Sequence, residues 1–427
     1  MLPITICNGR DEQAVFDKLK ARAGEVDAQV TAVVQDIIAD VRARGDAALR
    51  DYARKFDKCE LDSLEVPREE IAAAYDACEP KLKAALHAAA ENITAFHERQ
   101  KQQSWFTTQA NGAMLGQTVR GLHRVGVYVP AGTAPLPSSV LMNVLPAKIA
   151  GVGEIILCTP PWQGKASDAI LAAAHIAGVD RVFLLGGAPA MTAMAHGTET
   201  VPQVDKIVGP ANIYGATAKR LLYGVVDIDM IAGPSEILIV ADETANPAWL
   251  AADLLSQAEH DILAGAVLLS TSQKIAEQTL MELEKQVATL PRKEIAVQSL
   301  RNNGAILVCE NLQQALDYAN QYAPEHLELC VANPLELLGA VENAGSIFLG
   351  HYTPESVGDY YAGTNHVLPT GGTPRFFSPL SVDDFVKKTQ FLYYTREALQ
   401  AAKDDIAAIA EAEQLRAHGN AATIRFE

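Results

Sequence analysis

Residues 124–159, RVGVYVPAGTAPLPSSVLMNVLPAKIAGVGEIILCT, predict the fold class of this chain. The runs VGVYV (125–129) and EIILCTP (154–160) are short and apolar, as buried strands are. Between them a loop, PAGTAPLPSS (130–139), leads into a helical segment, VLMNVLPAKIAGV (140–152). A strand, a helix and a second strand in this order predict a parallel sheet with helices on both faces.

The same alternation continues along the chain in two series. The first continues with helical SDAILAAAHIAG, extended RVFLLGG, helical APAMTAMAHG, extended DKIVGP and helical NIYGATAKRLLYG. The second begins after SEILIVAD and has AVLLSTS, AILVCE and SIFLG as strand candidates, with helices near 272–289, 311–322 and 334–343. We therefore predict an α/β protein with two doubly wound (Rossmann-like) parallel-sheet domains and helical N-terminal and C-terminal appendages.

Four segments follow from this pattern. They are an N-terminal arm (1–27), a first α/β domain (28–124 with 237–382), a second α/β domain (125–236) and a helical C-terminal tail (383–427). We expect the first domain to carry most of the metal-binding and catalytic residues and the second to contribute to cofactor binding. The tail is polar and too thin to bury a core alone, so it should pack on something else.

Composition excludes several classes of function. The chain has 427 residues, 49% of them apolar and 20% charged, and a net charge of −17. This charge provides no basic surface for nucleic acid or anionic lipid. The longest apolar runs are too short to cross a bilayer, and the start does not resemble a signal peptide. The six cysteines have no CxxC spacing, so we expect reduced thiols in a cytoplasmic protein.

The stretch QYAPEHLELC (321–330) has an adjacent carboxylate and imidazole. Pro324 cannot donate a helical hydrogen bond, so the helix that includes Tyr322 should end there and the chain should change direction. Glu325 and His326 would then form an acid/base pair. Two solvated loop residues would give the same sequence, so the pair alone leaves its role open.

The stretch LLSQAEHD (254–261) places two potential metal ligands on one predicted helix. Gln257 and His260 are three residues apart and share a face, so both can reach one metal ion. A capping or partly exposed histidine near the helix end explains the same spacing.

Residues 350–375 form a segment with five glycines that follows a predicted strand. Ligands in α/β sheets usually lie at the carboxyl ends of strands, so we expect a site here. Asp359 and His366 are its candidate functional groups. In an ordinary surface loop, Asp359 would merely form a turn beside Gly358.

The final stretch of interest is EAEQLRAHGN (411–420), with Glu413 and His418 near a helix end at Gly419. The helix dipole favours a histidine in the last turn whatever its function. Gly-x-Ser-x-Gly does not surround Ser235, which argues against a serine hydrolase. Gly-x-Gly-x-x-Gly is also absent, so the chain lacks the usual dinucleotide-binding signature. The residues alone thus predict an α/β enzyme with a candidate metal site and a candidate acid/base pair.

Taken in order, these stretches resemble the histidinol dehydrogenase family. The similarity runs from RVGVYVPAGTAPLPSSVLMNVLPAKIAGV through KIVGPANIYGATAKR, DMIAGPSEILIVAD, LLSQAEHD and YAPEHLEL to ESVGDYYAGTNHVLPT, nearly the whole chain. The resemblance implies a zinc-dependent, NAD-linked four-electron oxidation of L-histidinol to L-histidine via L-histidinaldehyde, the final steps of histidine biosynthesis. It also implies a homodimer with shared active sites and one zinc ion per subunit.

The resemblance assigns roles to matching positions. The zinc ligands would be Gln257, His260, Asp359 and His418, which would also contact substrate together with Ser235, His326, His366 and Glu413. Glu325 and His326 would be catalytic: His326 would remove the proton in both hydride transfers, and Glu325 would activate water between them. Tyr128 and Asn212 would contact NAD. Pro189 replaces the glutamine that the family usually has in GGAQA, so the side-chain amide of that cofactor contact is missing.

Three other classes stay open at this point. A zinc hydrolase would use the same ligands, with Glu325 activating water. A cysteine-based aldehyde dehydrogenase would need an accessible thiolate, and a non-catalytic binding module would make the matched residues incidental. Metal analysis, NADH formation from histidinol and a covalent thiol probe distinguish these classes.

Overall fold

The structure is a computed structural model that describes residues 2–21, 28–131 and 135–427. Residues 22–27 of the predicted arm and 132–134 of the predicted loop lie outside the described residues. The strands are β1 (Ile4–Ile6), β2 (Glu65–Val66), β3 (Trp105–Thr108), β4 (Met114–Gly121), β5 (Arg124–Tyr128), β6 (Glu154–Thr159), β7 (Arg181–Leu184), β8 (Lys206–Val208), β9 (Asp227–Ile228), β10 (Glu236–Ala241), β11 (Gly265–Ser270), β12 (Gly304–Val308), β13 (His326–Cys330), β14 (Ser346–Leu349) and β15 (Val386–Tyr393).

The α-helices lie between these strands and at the two ends of the chain. They are α1 (Asp11–Ala21), α2 (Ala28–Arg44), α3 (Asp46–Tyr52), α4 (Arg68–Ala77), α5 (Pro80–His97), α6 (Pro137–Ile149), α7 (Asp168–Ala177), α8 (Gly187–His196), α9 (Ile213–Leu222), α10 (Pro247–Ala258), α11 (Gln273–Val287), α12 (Lys293–Asn303), α13 (Leu312–Tyr322), α14 (Pro334–Leu337), α15 (Glu355–Tyr360), α16 (Arg396–Ala412) and α17 (Arg416–Thr423).

Two six-stranded sheets have the same winding. Sheet 1 has the order β1-β12-β11-β10-β13-β14, and all of its neighbours are parallel. Sheet 2 has the order β2-β7-β6-β5-β8-β9, and only β2 is antiparallel to its neighbour. In each sheet the chain winds outward from a central strand to one side and then returns to the other. The predicted doubly wound α/β fold is therefore confirmed.

Local sequence signals explain where the elements begin and end. All six residues of β10 are buried, as expected of a strand covered on both faces. Helix α10 begins with Pro247 at its first position, and the Asn246 side chain accepts a hydrogen bond from the Ala248 N–H. Helix α7 ends at Gly178, whose φ of 73° lies in the left-handed region that glycine tolerates.

The predicted grouping of residues 28–124 with 237–382 is wrong. Helices α2 to α5 contribute to the apolar core of sheet 2: Val34 and Ile93 are buried in one cluster with Val125. The pair β2–β7 also joins this region to sheet 2. Helical periodicity showed which face of α2 is buried, but it carried no information about which sheet would cover that face.

The N-terminal and C-terminal segments form strands that sequence analysis missed. Strand β1 pairs with β12 at the edge of sheet 1. Strand β15 pairs with β4 in an antiparallel three-stranded sheet of order β15-β4-β3, termed sheet 3. The rest of the tail is helical as predicted, with Gly419 of α17 lying against Ala407 of α16. None of the helices in the described part of the chain has the length and apolarity that a bilayer crossing requires.

Candidate active site

The end of α13 places two buried ionisable side chains side by side. Ala323 has a left-handed φ of 56° and ends the helix, and Pro324 prevents its continuation. Strand β13 then begins at His326. Glu325 and His326 are 6% and 3% exposed, so they are not solvated loop residues. A non-glycine residue in this backbone conformation persists only where surrounding contacts hold it, as often happens near functional sites.

Glu236, the first residue of β10, orients both members of the pair. His326 donates a hydrogen bond from Nδ1 to the Glu236 carbonyl oxygen at 3.1 Å. The Glu236 N–H donates to Glu325 Oε2 at 2.9 Å. The proton on Nδ1 leaves Nε2 as the basic nitrogen of the neutral His326 ring.

Two carboxylates from α15 face this free nitrogen. His326 Nε2 lies 3.6 Å from Asp359 Oδ1 and 3.9 Å from Glu355 Oε1. Nε2 is buried and has no hydrogen-bond partner among the described residues. One ligand atom from each of the three side chains lies within 4.8 Å of the others, close enough to hold a metal ion. The arrangement can therefore receive either a cation or a polar substrate.

Burial and neighbouring charges shift the pKa of each group in this cluster. Burial raises the pKa of Glu325 to about 8, although the adjacent His326 opposes this shift. Burial alone would lower the pKa of His326, but the charges of Glu325, Glu355 and Asp359 outweigh it and raise this pKa well above its ordinary value. Burial would raise the pKa of Asp359, yet contact with His326 keeps it below its ordinary value. The cluster thus holds a proton readily on the Glu325–His326 pair, and Asp359 is the carboxylate that is favoured in its charged form.

Gln257 and His260 lie at the end of α10 next to this cluster. With its amide oriented to satisfy both of its groups, Gln257 donates to Glu355 Oε1 at 2.7 Å and accepts from the Glu236 N–H at 3.1 Å. Helix α10 ends at Ala258, so His260 lies just beyond the helix and is exposed. Although part of the residue is exposed, desolvation of the ring lowers the pKa of His260, while Asp359 acts to raise it and His326 to lower it. Gln257 thus contacts the cluster through Glu355, and His260 interacts with Asp359 through charge. The three side chains that converge on one point are His326, Glu355 and Asp359, of which only Asp359 belongs to the predicted ligand set.

Predicted substrate residues on two other segments also approach the cluster. His366 contacts the Asp359 carbonyl oxygen through Nδ1 at 2.9 Å and Ser139 Oγ of α6 through Nε2 at 3.4 Å. Ser235 is half-buried and directly precedes Glu236. The contact with Ser139 joins the 350–375 segment to the side of the molecule that sheet 2 forms.

Glu413 and His418 are placed differently. Both are exposed: Glu413 caps the end of α16, and His418 lies in α17. Among the described residues, no hydrogen bond or ion pair joins either side chain to His326 or Asp359. A single chain thus does not assemble the predicted four-ligand set.

The predicted cofactor residues lie at the carboxyl edge of sheet 2. Tyr128 ends β5, and its hydroxyl accepts from the Gly187 N–H at 3.0 Å. Pro189 lies in the first turn of α8, where a missing N–H costs the helix nothing. Asn212 is exposed and caps α9 by accepting from the Tyr214 and Gly215 N–H groups, each at 3.1 Å. These residues surround the point where the strand order reverses, between β5 and β8.

The predicted catalytic pair, Glu325 and His326, lies at the amino edge of the other sheet. His326 and Glu236 are the first residues of their strands, so the cluster is at the amino edge of sheet 1. The 350–375 segment supplies Asp359 to the cluster, but the cluster lies at the amino edge of sheet 1 and not at the carboxyl ends of its strands. Strand β14 has only four residues, and α15 turns back along it to bring Asp359 to His326, which is in register with Ser346 at the start of β14.

Five supporting side chains were missed in the sequence. Tyr322 donates to Glu236 Oε2 at 2.9 Å, and Ser256 donates to Glu355 Oε2 at 2.8 Å. Glu328 is buried in β13, and its Oε1 accepts from the Glu355 N–H at 2.8 Å. An acid inside an apolar run was the available signal: Glu236 starts EILIV, and Glu328 interrupts HLELC. Such a residue costs stability unless it is paired, so its presence marks a polar network.

Known proteins share the sequence and fold of this chain. The family model for histidinol dehydrogenase matches residues 20–426. The chain belongs to the histidinol dehydrogenase family. The enzyme of that name from Clostridium acetobutylicum is 53% identical over 418 residues, 98% of this chain and 97% of the relative. The one from Geobacter sulfurreducens is 53% identical over 417 residues, 97% of each chain.

A solved structure shows the same fold. The crystal structure of histidinol dehydrogenase from Elizabethkingia anophelis has a TM-score of 0.93 and 40% identity, covering 99% of this chain and 98% of that one. The chain is therefore an oxidoreductase of the histidinol dehydrogenase family, and histidinol oxidation in histidine biosynthesis is its general activity.

Proposed function

We propose that this enzyme carries out the zinc-dependent, NAD-linked four-electron oxidation of L-histidinol to L-histidine through L-histidinaldehyde. The observation that carries this proposal is the Nε2 of His326, which is buried and has no hydrogen-bond partner in the part of the chain that the structure describes. The Nδ1 contact with the Glu236 carbonyl makes Nε2 the nitrogen that exchanges a proton, and the neighbouring carboxylates, which raise the pKa of His326, make Nε2 a strong proton acceptor. His326 would remove the hydroxyl proton as hydride leaves the same carbon.

Glu325 is suited to the second half of the reaction. Its pKa of about 8 lies close to neutrality, so its carboxyl can exchange a proton during turnover. Its Oε2 lies 3.7 Å from His326 Nδ1. Glu325 would take a proton from water as the water adds to the aldehyde carbon, and His326 would act again as base on the resulting hydrate.

The donor set fits a zinc ion. Imidazole nitrogen and carboxylate oxygen are ordinary zinc ligands, and the amide oxygen of Gln257 would add an uncharged ligand. We assign the ligand roles to Gln257, His260 and Asp359 of one chain and His418 of a second chain. Held by these residues, a zinc ion would supply Lewis acidity, and it has no redox chemistry of its own.

The carboxyl edge of sheet 2 supports a role in NAD binding. NAD supplies the hydride acceptor. Gly209 has a φ of 111°, and a Cβ there would lie 2.1 Å from the Tyr128 carbonyl oxygen, so the backbone segments around this edge are unusually close. We assign contacts with the cofactor to Tyr128 and Asn212. At position 189, only the backbone of Pro189 is available in place of a side-chain amide.

We further propose a homodimer in which the tail of each chain completes the active site of its partner. Glu413 and His418 are exposed and therefore free to reach a second chain. Large apolar side chains of the tail are also exposed: Leu392 is 71%, Tyr393 60% and Ile409 63% exposed. Exposed apolar area of this kind typically marks a protein interface.

The test combines metal analysis with absorbance of NADH. We expect zinc in the purified protein and formation of two NADH for each L-histidinol consumed, with activity lost on chelation and restored by zinc. A zinc hydrolase would give no NADH. Stoichiometric zinc without any NADH from L-histidinol would refute the proposed reaction.

A further inference from the structure

Two thiols meet at the edge of sheet 1, far from the groups assigned to catalysis. Cys7 directly follows β1 and Cys309 directly follows β12. Their sulfur atoms are 3.8 Å apart. All six cysteines are free, and Cys309 is buried whereas Cys7 is half-buried.

The strand register places these two residues opposite each other. Ile6 pairs with Val308, and the Cys7 N–H donates to the Val308 carbonyl oxygen at 2.9 Å. Neighbouring strands are about 4.8 Å apart, which is within the Cα separation of roughly 4.4–6.8 Å that a disulfide spans. The sulfur atoms therefore need to approach by less than 2 Å, roughly one side-chain rotation, to reach bonding distance.

We propose that Cys7 and Cys309 form a modification site, an intramolecular disulfide generated by hydroperoxides that ties the N-terminal strand to the body of the enzyme. The Cys7 thiolate attacks the peroxide, which gives a sulfenic acid on Cys7 and releases the alcohol or water. The Cys309 sulfur then attacks Cys7 Sγ, the S–O bond breaks, and water leaves with the Cys309 proton. The two thiols together lose two protons and two electrons, and the electrons reduce the O–O bond.

The surroundings divide the two roles between the thiols. A hydrogen bond from Cys309 lowers the pKa of Cys7, although burial and the charge of Glu12 oppose this shift. The same hydrogen bond and burial raise the pKa of Cys309. The accessible thiol is thus the one that ionises, and the buried thiol is held beside it as the resolving partner.

The disulfide would change the stability of the enzyme rather than its catalytic rate. It would close a loop of roughly 300 residues between the N-terminal strand and β12, and a loop of this length restricts the unfolded chain strongly. Because β1 is a three-residue edge strand, the bond would also prevent it from separating. We expect a rise of a few degrees in the melting temperature and little change in turnover.

The experiment treats the full-length enzyme with a small excess of hydrogen peroxide, blocks the remaining thiols by alkylation and maps the peptides without reduction. We expect a linked peptide pair containing Cys7 and Cys309 and the loss of two hydrogen masses, both reversed by dithiothreitol. Cys78, which is also half-buried, is the matched control. Cys78→Ser should keep the link, and Cys7→Ser should abolish it together with the melting shift.

Several results would overturn the proposal. They are the absence of any link in wild-type protein, oxidation of Cys7 to sulfinic acid while Cys309 stays alkylatable, or a link that involves another cysteine. Since the decisive measurement is made on wild-type protein, it does not depend on the folding of a variant. The Cys7→Ser result counts only with an unchanged circular dichroism spectrum, and Cys7→Ala provides a second variant.

Discussion

The two six-stranded sheets have the same winding yet bury different chemistry. The central strands of sheet 2 bury apolar side chains of their own, such as Val127, Ile156 and Leu157. Sheet 1 buries Glu236, His326 and Glu328 within its two central strands. The groups proposed to bind the cofactor lie at the carboxyl edge of sheet 2, whereas the proposed catalytic pair lies at the amino edge of sheet 1.

This difference shows that a shared topology does not fix where a site forms. The reversal of strand order leaves a crevice at the carboxyl ends of the strands, and this geometry alone accounts for the position of Tyr128 and Asn212. At the amino edge, a site requires added parts. Here they are the short helix α15, the end of α10 and the kink at Ala323 and Pro324.

The largest effect should come from the amino edge of sheet 1. We expect His326→Asn to slow the first hydride transfer by about 10²–10⁴-fold, because the general base is lost. Glu325→Gln should slow complete oxidation but spare the first transfer more, since water is needed only in the second half. Single-turnover NADH bursts separate the two steps.

A histidine at the other edge of the same sheet is the matched control. His351 follows β14 and contacts Thr244 Oγ1 at 3.1 Å, remote from the catalytic pair in the strand register. His351→Asn should leave the burst unchanged. Equal loss of the first burst in the Glu325 and His326 variants would contradict the division of labour.

The second-largest effect should come from mixing two inactive variants, which tests whether the exposed tail of one chain completes the buried site of a second chain. His326→Ala and His418→Ala should each be inactive as homodimers. Co-expression should restore activity at about a quarter of the sites, because half of randomly mixed dimers are hybrid and each has one intact site. Hybrid dimers that form, as shown by differential tags, but remain inactive would place the tail in its own chain's site.

A smaller effect should be the same in both sheets. Leu157 in sheet 2 and Leu329 in sheet 1 are fully buried. Replacing either by alanine should lower the free energy of unfolding by about 2–5 kcal/mol. Denaturant titration measures this change. The folded fraction of Leu157→Ala should keep its kcat, and a loss of kcat there would show that the apolar sheet is coupled directly to the chemistry.

The smallest effect should come from the cysteines inside the two sheets. Burial raises the pKa of both Cys158 in sheet 2 and Cys330 in sheet 1, so neither forms a thiolate readily. Replacing either by alanine should change turnover by less than about twofold. Lost turnover with intact fold and zinc content would instead indicate a thiol-based aldehyde step.

The sequence predicted sheets and individual site residues better than it predicted positions in space. Apolar runs such as EIILCTP and EILIVAD had the length and composition of buried strands, so both parallel sheets were recognisable. The end of a helix at Pro324 was also readable. The edge at which His326 lies depends on the register of β13 against β10, a long-range pairing that local pattern does not encode.

Supporting residues were harder to predict for a related reason. Glu355 is one of two acids in the glycine-rich segment 350–375, and its burial against Ser256 and Gln257 is what marks it as part of the site. Strand β15 was missed because its residues are mostly exposed and those at one end are polar. Its sequence therefore lacks the apolar alternation typical of a strand that pairs as β15 does with β4.

The strand pairing of the N-terminus also has a consequence for synthesis on the ribosome. Every strand of sheet 2 lies between residues 65 and 228, whereas sheet 1 joins residues 4–6 to 304–308. At a synthesis rate of about 5–20 residues per second, roughly 15–60 s pass between the synthesis of β1 and that of its partner strand β12. Sheet 2 should therefore fold first. In nascent chains arrested before β12, sheet 2 should resist proteolysis while the N-terminal strand is still cleaved.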